Sequence, residues 1–379
     1  MPIHRRPQRA ALLTLVGATA VALSACSTSA DSAKDSVSAA ESDTITAVAT
    51  TTQICDYLTH IAEGGLTLEK TDAQGEKTTT GNGDTTLELT CLLAPNASAH
   101  EHEMTPNQMQ ALAQADYLFT NGVDLEHFLD QAVASSGFHG TLSVTSGVKN
   151  SGDAPKGVTV KEGSHRIDVK PWPFAGEDGE EPEFSHDPHV WTDPKQAKIQ
   201  VENIVEELSS QAPAVKDAGA SYEQQLADLD SWAAESLTAI PRKDRVLFTS
   251  HDAFGYFANA YDVTFIGSAL SDFNNQQDAT ASHIDEAART VRESGAKAIF
   301  AENSNNSKSI EAIARAAGVK AITAEDALYG DSLGIPGSAG ETYIGSLIHN
   351  VSTLVTAWGG KPAELPESLS EFDSALHNS

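Results

Sequence analysis

Tyr222, Leu226, Leu229, Trp232, Ala233, Leu237 and Ile240 recur mostly at three- and four-residue steps, and the pattern stops at Pro241. Such spacing lines apolar side chains along one face of a helix, and the proline ends it. A helix of about 25 residues spans about 37 Å at 1.5 Å per residue, roughly the width of a small domain. A strut of that length constrains the rest of the chain, which must supply apolar surface on either side of it.

Both flanks have the same rhythm. Before the strut, strand-like runs at 44–50, 87–93, 116–120 and 141–145 alternate with helical patterns at 53–62, 106–115, 124–135 and 194–210. After it, strands at 245–249, 263–267, 297–301 and 319–323 alternate with helices at 253–260, 278–293, 308–317 and 341–358. Alternation of this kind builds a mostly parallel sheet with helices on both faces. A chain of 379 residues exceeds one ordinary core. The expected fold class is therefore α/β: a lobe over 44–213, a linking helix over 214–241 and a second lobe over 242–379. Two stretches depart from the rhythm. Residues 67–86, rich in Gly, Thr, Asp and Lys, read as an exposed hairpin or loop. Residues 146–185 read as a long acidic surface loop, ending in a run of Gly, Asp, Glu and Pro over 176–183.

The first 25 residues read as an export signal. Arg5, Arg6 and Arg9 precede a short apolar run over 10–22, too short to span a bilayer comfortably. The run ends in Leu23-Ser24-Ala25-Cys26, which resembles a bacterial lipoprotein signal, with Cys26 as the lipidated residue; the alternative is a plain secretory signal. Residues 26–43 then form a polar tether, and the mature chain is anchored to a membrane rather than spanning it. The formal charge is −29, and cleavage before Cys26 removes three arginines and no acids, leaving −32. That surface repels nucleic acid and anionic lipid. Cys55 and Cys91 remain, an even pair in an exported chain, and read as a disulfide; two buried thiols or thiolate ligands are the alternatives.

Thirteen histidines are present, and four loops matter. His100 and His102 follow the strand at 87–93. His186 and His189 stand before Asp193-Pro194. His251 lies between a strand and a helix, and Asp331 follows the strand at 319–323. Loops beyond the carboxyl ends of parallel strands are where open α/β sheets bind ligands. If the lobes face each other, one imidazole or carboxylate from each loop meets in the cleft, and four such donors close a tetrahedron around a borderline dication. For each residue taken alone, a helix cap or a loop position is the competing explanation. Sequence separation carries no ligand signal here.

The order of several motifs resembles the metal-specific solute-binding proteins of bacterial ABC importers, the zinc and manganese group that includes streptococcal surface antigens. They are Asp187-Pro188-His189-Val190-Trp191 with Asp193-Pro194, and Ser250-His251-Asp252-Ala253-Phe254-Gly255-Tyr256-Phe257 with Tyr261. Thr105-Pro106, Asn121-Gly122-Val123-Asp124-Leu125-Glu126 and Asp331-Ser332-Leu333 also match, so the resemblance covers about 44–360. It implies two α/β lobes joined by one long rigid helix, with a metal site in the cleft. By position it implies His100, His189, His251 and Asp331 as ligands. Histidine at 251, where manganese members have glutamate, implies Zn²⁺ as cargo rather than Mn²⁺. It also implies an ABC permease and its ATPase as partners, and a monomer.

The departures are specific. The family usually has Asp-Pro before its first histidine, where this chain has Ser98-Ala99, and His102 is a second candidate ligand. The acidic loop, with His165 and His186 nearby, is not His-rich; it reads as a solvated linker or a weak metal-gathering segment. Glu302 reads either as a carboxylate orienting a ligand histidine or as a solvated loop acid. Gly330 and Gly334 suggest a loop that orders on metal binding. Three other functions are weighed: a zinc-dependent hydrolase, for which no HExxH motif or nucleophile triad is present, a surface adhesin of the same fold, and a metallochaperone.

Overall fold

The computed structural model describes residues 43–100, 102–151, 156–171, 185–269 and 280–377. Cys26, nearly all of the 26–43 tether and the acidic run at 176–183 lie outside them. No helix among the described residues is long and apolar enough to cross a membrane.

Two sheets carry the architecture. The first contains β1 (Thr44–Ala49), β2 (Thr67–Thr71), β3 (Lys77–Gly81), β4 (Thr86–Cys91), β5 (Tyr117–Thr120), β6 (Thr141–Val144) and β7 (Thr159–Lys161), in the order β3-β2-β4-β1-β5-β6-β7. Every pairing is parallel except the β2–β3 hairpin. The second contains β8 (Val246–Thr249), β9 (Thr264–Ser268), β10 (Ala298–Phe300) and β11 (Lys320–Ile322), all parallel, in the order β11-β10-β8-β9. All four residues of β8, Val-Leu-Phe-Thr, are buried. A fully buried run of this kind, apolar but for Thr249, suits a parallel strand covered on both faces.

Helices α1 (Thr52–Glu63), α2 (Pro106–Gln114), α3 (Leu129–Ser136), α4 (Pro194–Leu208), α5 (Val215–Thr238), α6 (Gly255–Tyr261), α7 (Ala281–Ser294), α8 (Lys308–Ala317) and α9 (Tyr343–Ala357) fill the connections. Their starts are chemically marked. Thr105 and Gln108 form a reciprocal capping box ahead of α2, and Asp193 caps α4 with Pro194 in its first turn. The long helix is α5, whose buried positions include Tyr222, Leu226, Leu229, Trp232, Ala233 and Leu237. It packs against α1, α4 and α9. A Cβ on Gly64, just past α1, would come within 2.1 Å of the Ala218 side chain on α5, so only glycine allows that approach. One cluster of buried residues runs from Ile45 and Leu87 in the first sheet through Leu226 and Trp232 to Leu247 and Phe300 in the second.

Two local expectations change and one gains detail. The 67–86 insert is a hairpin, as expected, and it extends the first sheet, β2 pairing with β4. The helix expected over 124–135 starts only at Leu129, because Gly122, Val123 and Asp124 all have positive φ. The 146–185 loop includes a seventh strand, β7, and a buried Ile167.

Candidate metal centre

In each sheet the strand order reverses beside a strand whose following loop reaches the site. Around β8, the chain runs out through α6 to β9 on one side and returns through α7 to β10 on the other. That leaves a crevice at the carboxyl ends of β8 and β10. His251 follows β8, and Glu302 follows β10. In the first sheet β4 and β5 flank β1, and the segment after β4 carries His100. His189 opens a short 3₁₀ turn over Val190–Thr192, just ahead of α4. Asp331 lies beyond β11 in a buried turn.

The structure brings these four together. Ligand-capable atoms of His100, His189, His251 and Asp331 all lie within 4.8 Å of one another. His189 Nε2 is 3.0 Å from His100 Nε2 and 3.2 Å from His251 Nε2. Asp331 Oδ1 is 3.2, 3.3 and 3.9 Å from the Nε2 atoms of His189, His251 and His100. Donors about 2.0–2.1 Å from a tetrahedral zinc stand about 3.3 Å apart; four of these five separations lie at 3.0–3.3 Å and the fifth is 3.9 Å. The four side chains are 3% exposed or less.

Three imidazole nitrogens and a carboxylate oxygen crowded this closely need positive charge between them. Burial opposes charge on Asp331, yet the facing imidazoles, His251 first, hold it well below the usual carboxylate range. Burial also opposes charge on His189, but hydrogen bonds to Asp187 and Asp331 outweigh it and push this imidazole up to about 9. His251 rises too, Asp331 overcoming its burial, whereas burial drives His100 well below the imidazole range. A dication at the centre supplies the same charge without protons, and with the carboxylates of Asp331 and Asp187 it leaves the pocket formally neutral.

A supporting layer sets the geometry. His189 Nδ1 lies 2.8 Å from Asp187 Oδ1, which also accepts the His189 backbone N–H at 3.0 Å. A proton on Nδ1 directs the Nε2 lone pair into the cluster. Glu302, 1% exposed, accepts the His251 backbone N–H on Oε1 at 2.9 Å, so it fixes His251 through the main chain. Burial, opposed by the charge on His251, pushes Glu302 up to about 8. The Asp331 turn is tied at several points. Gln53 Nε2 donates to the Asp331 carbonyl at 3.1 Å, Trp191 Nε1 to the Gly330 carbonyl at 2.8 Å, and the Leu333 N–H to Thr52 Oγ1 at 2.9 Å. Gly330 and Gly334 accordingly serve close packing rather than freedom. A Cβ on Gly330 would fall 1.9 Å from Glu302 Oε2, and one on Gly334 would fall 2.3 Å from Ser338 Oγ.

Among the other candidates, His102 turns away and stacks edge-on against Phe128 at 5.1 Å. His186 is exposed, and His165 pairs with Glu202 at 3.2 Å. None of the three joins the four-residue cluster. Cys55 and Cys91 form a disulfide that joins α1 to the end of β4, the strand ahead of the His100 segment. The supporting roles of Asp187, Gln53 and Trp191 were not legible in the sequence. Only Asp187, two residues before His189, carries a local signal.

An α/β chain with two parallel-type sheets and a buried three-histidine, one-carboxylate cluster at their strand ends has the form of a solute-binding receptor. It belongs to the family described as the periplasmic component A of zinc-uptake complexes, whose model matches residues 47–357. The manganese-binding lipoprotein MntA of Halalkalibacterium halodurans is 30% identical over 273 residues, 71% of this chain and 80% of the relative. The zinc-binding protein TroA of Treponema pallidum is 29% identical over 280 residues, 72% and 82% of the two chains. Its solved structure matches with a TM-score of 0.61 at 26% identity, covering 82% of this chain and 98% of that one. The metal ABC transporter substrate-binding lipoprotein SloC of Streptococcus mutans is 27% identical over 261 residues, 67% and 78%.

Proposed function

We propose that this chain captures Zn²⁺ outside the cytoplasm and delivers it to an ABC permease driven by its ATPase, working as a monomer held to the membrane by a lipid on Cys26. His100, His189 and His251 bind the ion through Nε2, and Asp331 binds it through Oδ1. The observation that carries the reading is the set of donor separations, 3.0–3.3 Å on four edges and 3.9 Å on a fifth, matching a zinc tetrahedron. Manganese prefers more oxygen donors and a higher coordination number. The relative named as manganese-binding supports Mn²⁺ as the second reading. Four protein donors close the shell and leave no position for the water that a hydrolytic zinc needs, so the reading is a receptor and not an enzyme. The halves at 44–213 and 242–379, joined over 214–241, belong to the same reading, with α5 as the rigid link.

Metal analysis of the purified chain, with His251→Ala and Asp331→Ala as controls, tests this. One zinc per wild-type chain is expected when zinc and manganese are offered together, and none in either variant, with circular dichroism unchanged. Full zinc stoichiometry in both variants removes the ligand assignment, and manganese uptake by the wild type replaces the cargo.

A further inference from the structure

We infer that Ser98 fixes Asp331 as a one-oxygen ligand and so determines the preference of the site for a four-coordinate cation. This rests on the metal-site reading above and concerns a residue outside its four ligands.

The two oxygens of Asp331 have separate partners. Oδ1 faces the three imidazole Nε2 atoms at 3.2–3.9 Å. Oδ2 accepts a hydrogen bond of 2.7 Å from Ser98 Oγ. Ser98 Oγ in turn accepts the His100 backbone N–H at 3.3 Å. A hydroxyl has one proton and two lone pairs. With one lone pair turned to the His100 N–H, the proton points at the carboxylate, which has none to offer. A hydroxyl bound to a carboxylate is among the stronger hydrogen bonds in proteins. For Asp331 to chelate through both oxygens, Oδ2 must leave Ser98 and turn toward the imidazoles. The main chain cannot shift to help, because Gln53, Trp191 and Thr52 hold it on both sides of Asp331.

Denticity then decides selectivity. With Oδ2 held outside, the site offers four donors, the number zinc takes in closed sites. Cations that take six or more ligands commonly draw both oxygens from a carboxylate. The same hydroxyl ties the His100 segment to the Asp331 turn, so the two ligands hold their spacing together.

The test compares the wild-type chain with Ser98→Ala, which lacks the donor, and Ser98→Thr, which keeps it. Zn²⁺ and Mn²⁺ affinities are measured by competition with a chromophoric chelator, and the Co²⁺ form is read by visible absorption, since tetrahedral Co²⁺ absorbs far more strongly than five- or six-coordinate Co²⁺. Loss of a partner just behind a metal ligand typically costs 10–100-fold in affinity. In Ser98→Ala the zinc-to-manganese affinity ratio is expected to fall about tenfold, the low end of that range, and the Co²⁺ band to weaken, with Ser98→Thr restoring both. An unchanged ratio and band in Ser98→Ala overturns the inference, as does an equal loss for both metals, which marks a purely structural role. A wild-type chain that binds neither metal sinks the metal-site reading and this inference together, whereas zinc binding by the wild type with an unmoved ratio in Ser98→Ala sinks the inference alone.

Discussion

The two sheets hold their histidines in different ways. Beside the first sheet, His189 is held by its ring: Asp187 sits on Nδ1 at 2.8 Å, and the preceding Pro188 carbonyl accepts Asn121 Nδ2 at 3.0 Å. At the second sheet, the Glu302 carboxylate holds His251 by its backbone N–H at 2.9 Å. Each sheet also buries one glutamate at its strand ends. Glu126 accepts three hydrogen bonds, from Thr50 Oγ1 at 2.7 Å, the Asn121 N–H at 2.6 Å and the Gly122 N–H at 3.2 Å. Glu302 Oε2, by contrast, has no hydrogen-bond partner among the described residues. A carboxylate on Nδ1 sets the tautomer and basicity of the His189 ring, and the Glu302 contact sets the position of the His251 main chain. The Asp187 carboxylate therefore acts on the ring of a ligand candidate, and the Glu302 carboxylate acts on the backbone of another.

The largest expected effect is on the pH dependence of zinc affinity. His189 titrates at about 9 in the metal-free chain, so its Nε2 proton must leave before the ion binds. Its folded value lies above the ordinary 6.5, so protons still compete at neutral pH. Affinity rises with pH up to about 9, by up to tenfold per pH unit for one displaced proton. Asp187→Asn sharpens the comparison by removing the carboxylate from the ring. The variant is expected to bind zinc 10–100-fold more weakly at pH 8, with proton competition moved to lower pH. Chelator competition across pH 5–9 measures both. Identical pH profiles for wild type and variant would mean that Asp187 does not control the His189 ring.

A smaller effect is expected from Glu126→Ala. Its carboxylate gathers the Asn121 and Gly122 N–H groups around a turn in which Gly122, Val123 and Asp124 have φ of 79°, 56° and 58°. Val123 is β-branched and costly in that conformation. Removing the acceptor leaves buried donors unpaired, at about 1–3 kcal/mol each, so urea denaturation is expected to show a loss of about 3 kcal/mol. Because Asn121 also reaches the Pro188 carbonyl, zinc affinity falls with it. A stability equal to the wild type would make the turn self-supporting.

This turn also shows where reading the sequence stops. The strands and helices were legible because their apolar periodicity is local. The long helix read from Tyr222 to Ile240 appears as α5 over Val215–Thr238, and Pro194 and Thr105 marked their helix starts. The helix read from Asp124 failed because a carboxylate at 126 and an amide at 121 override local propensity, and neither has a periodic signature. The four cluster residues were legible as motifs at strand ends; His100 lies in the cluster, and His102 packs against Phe128. Their supports were not. Ser98 and Asp331 are separated by 233 residues and Gln53 and Asp331 by 278, and contacts that remote depend on the tertiary fold alone.

The smallest effect tests the second sheet. In the metal-free chain burial, opposed by His251, pushes Glu302 from 4.5 up to about 8, and burial pushes Glu126 to about 7 despite its hydrogen bonds. A raised folded pKa contributes stability that is present below the unfolded value and is lost as pH rises through the folded value. Metal-free stability therefore declines between about pH 4.5 and 8 through Glu302, and only to about 7 through Glu126, by at most about 1.4 kcal/mol per pH unit for each group. Glu302→Gln keeps an acceptor for the His251 N–H and removes the titration. Its denaturation midpoint should vary less with pH than the wild type's, most visibly between pH 7 and 8, where Glu126 no longer contributes. The zinc affinity of this variant at fixed pH should change much less than that of Asp187→Asn, because the backbone contact survives. If Glu302→Gln weakens zinc as strongly as Asp187→Asn does, then the backbone contact matters to the ion as much as the ring contact, and the contrast between the two carboxylates is lost.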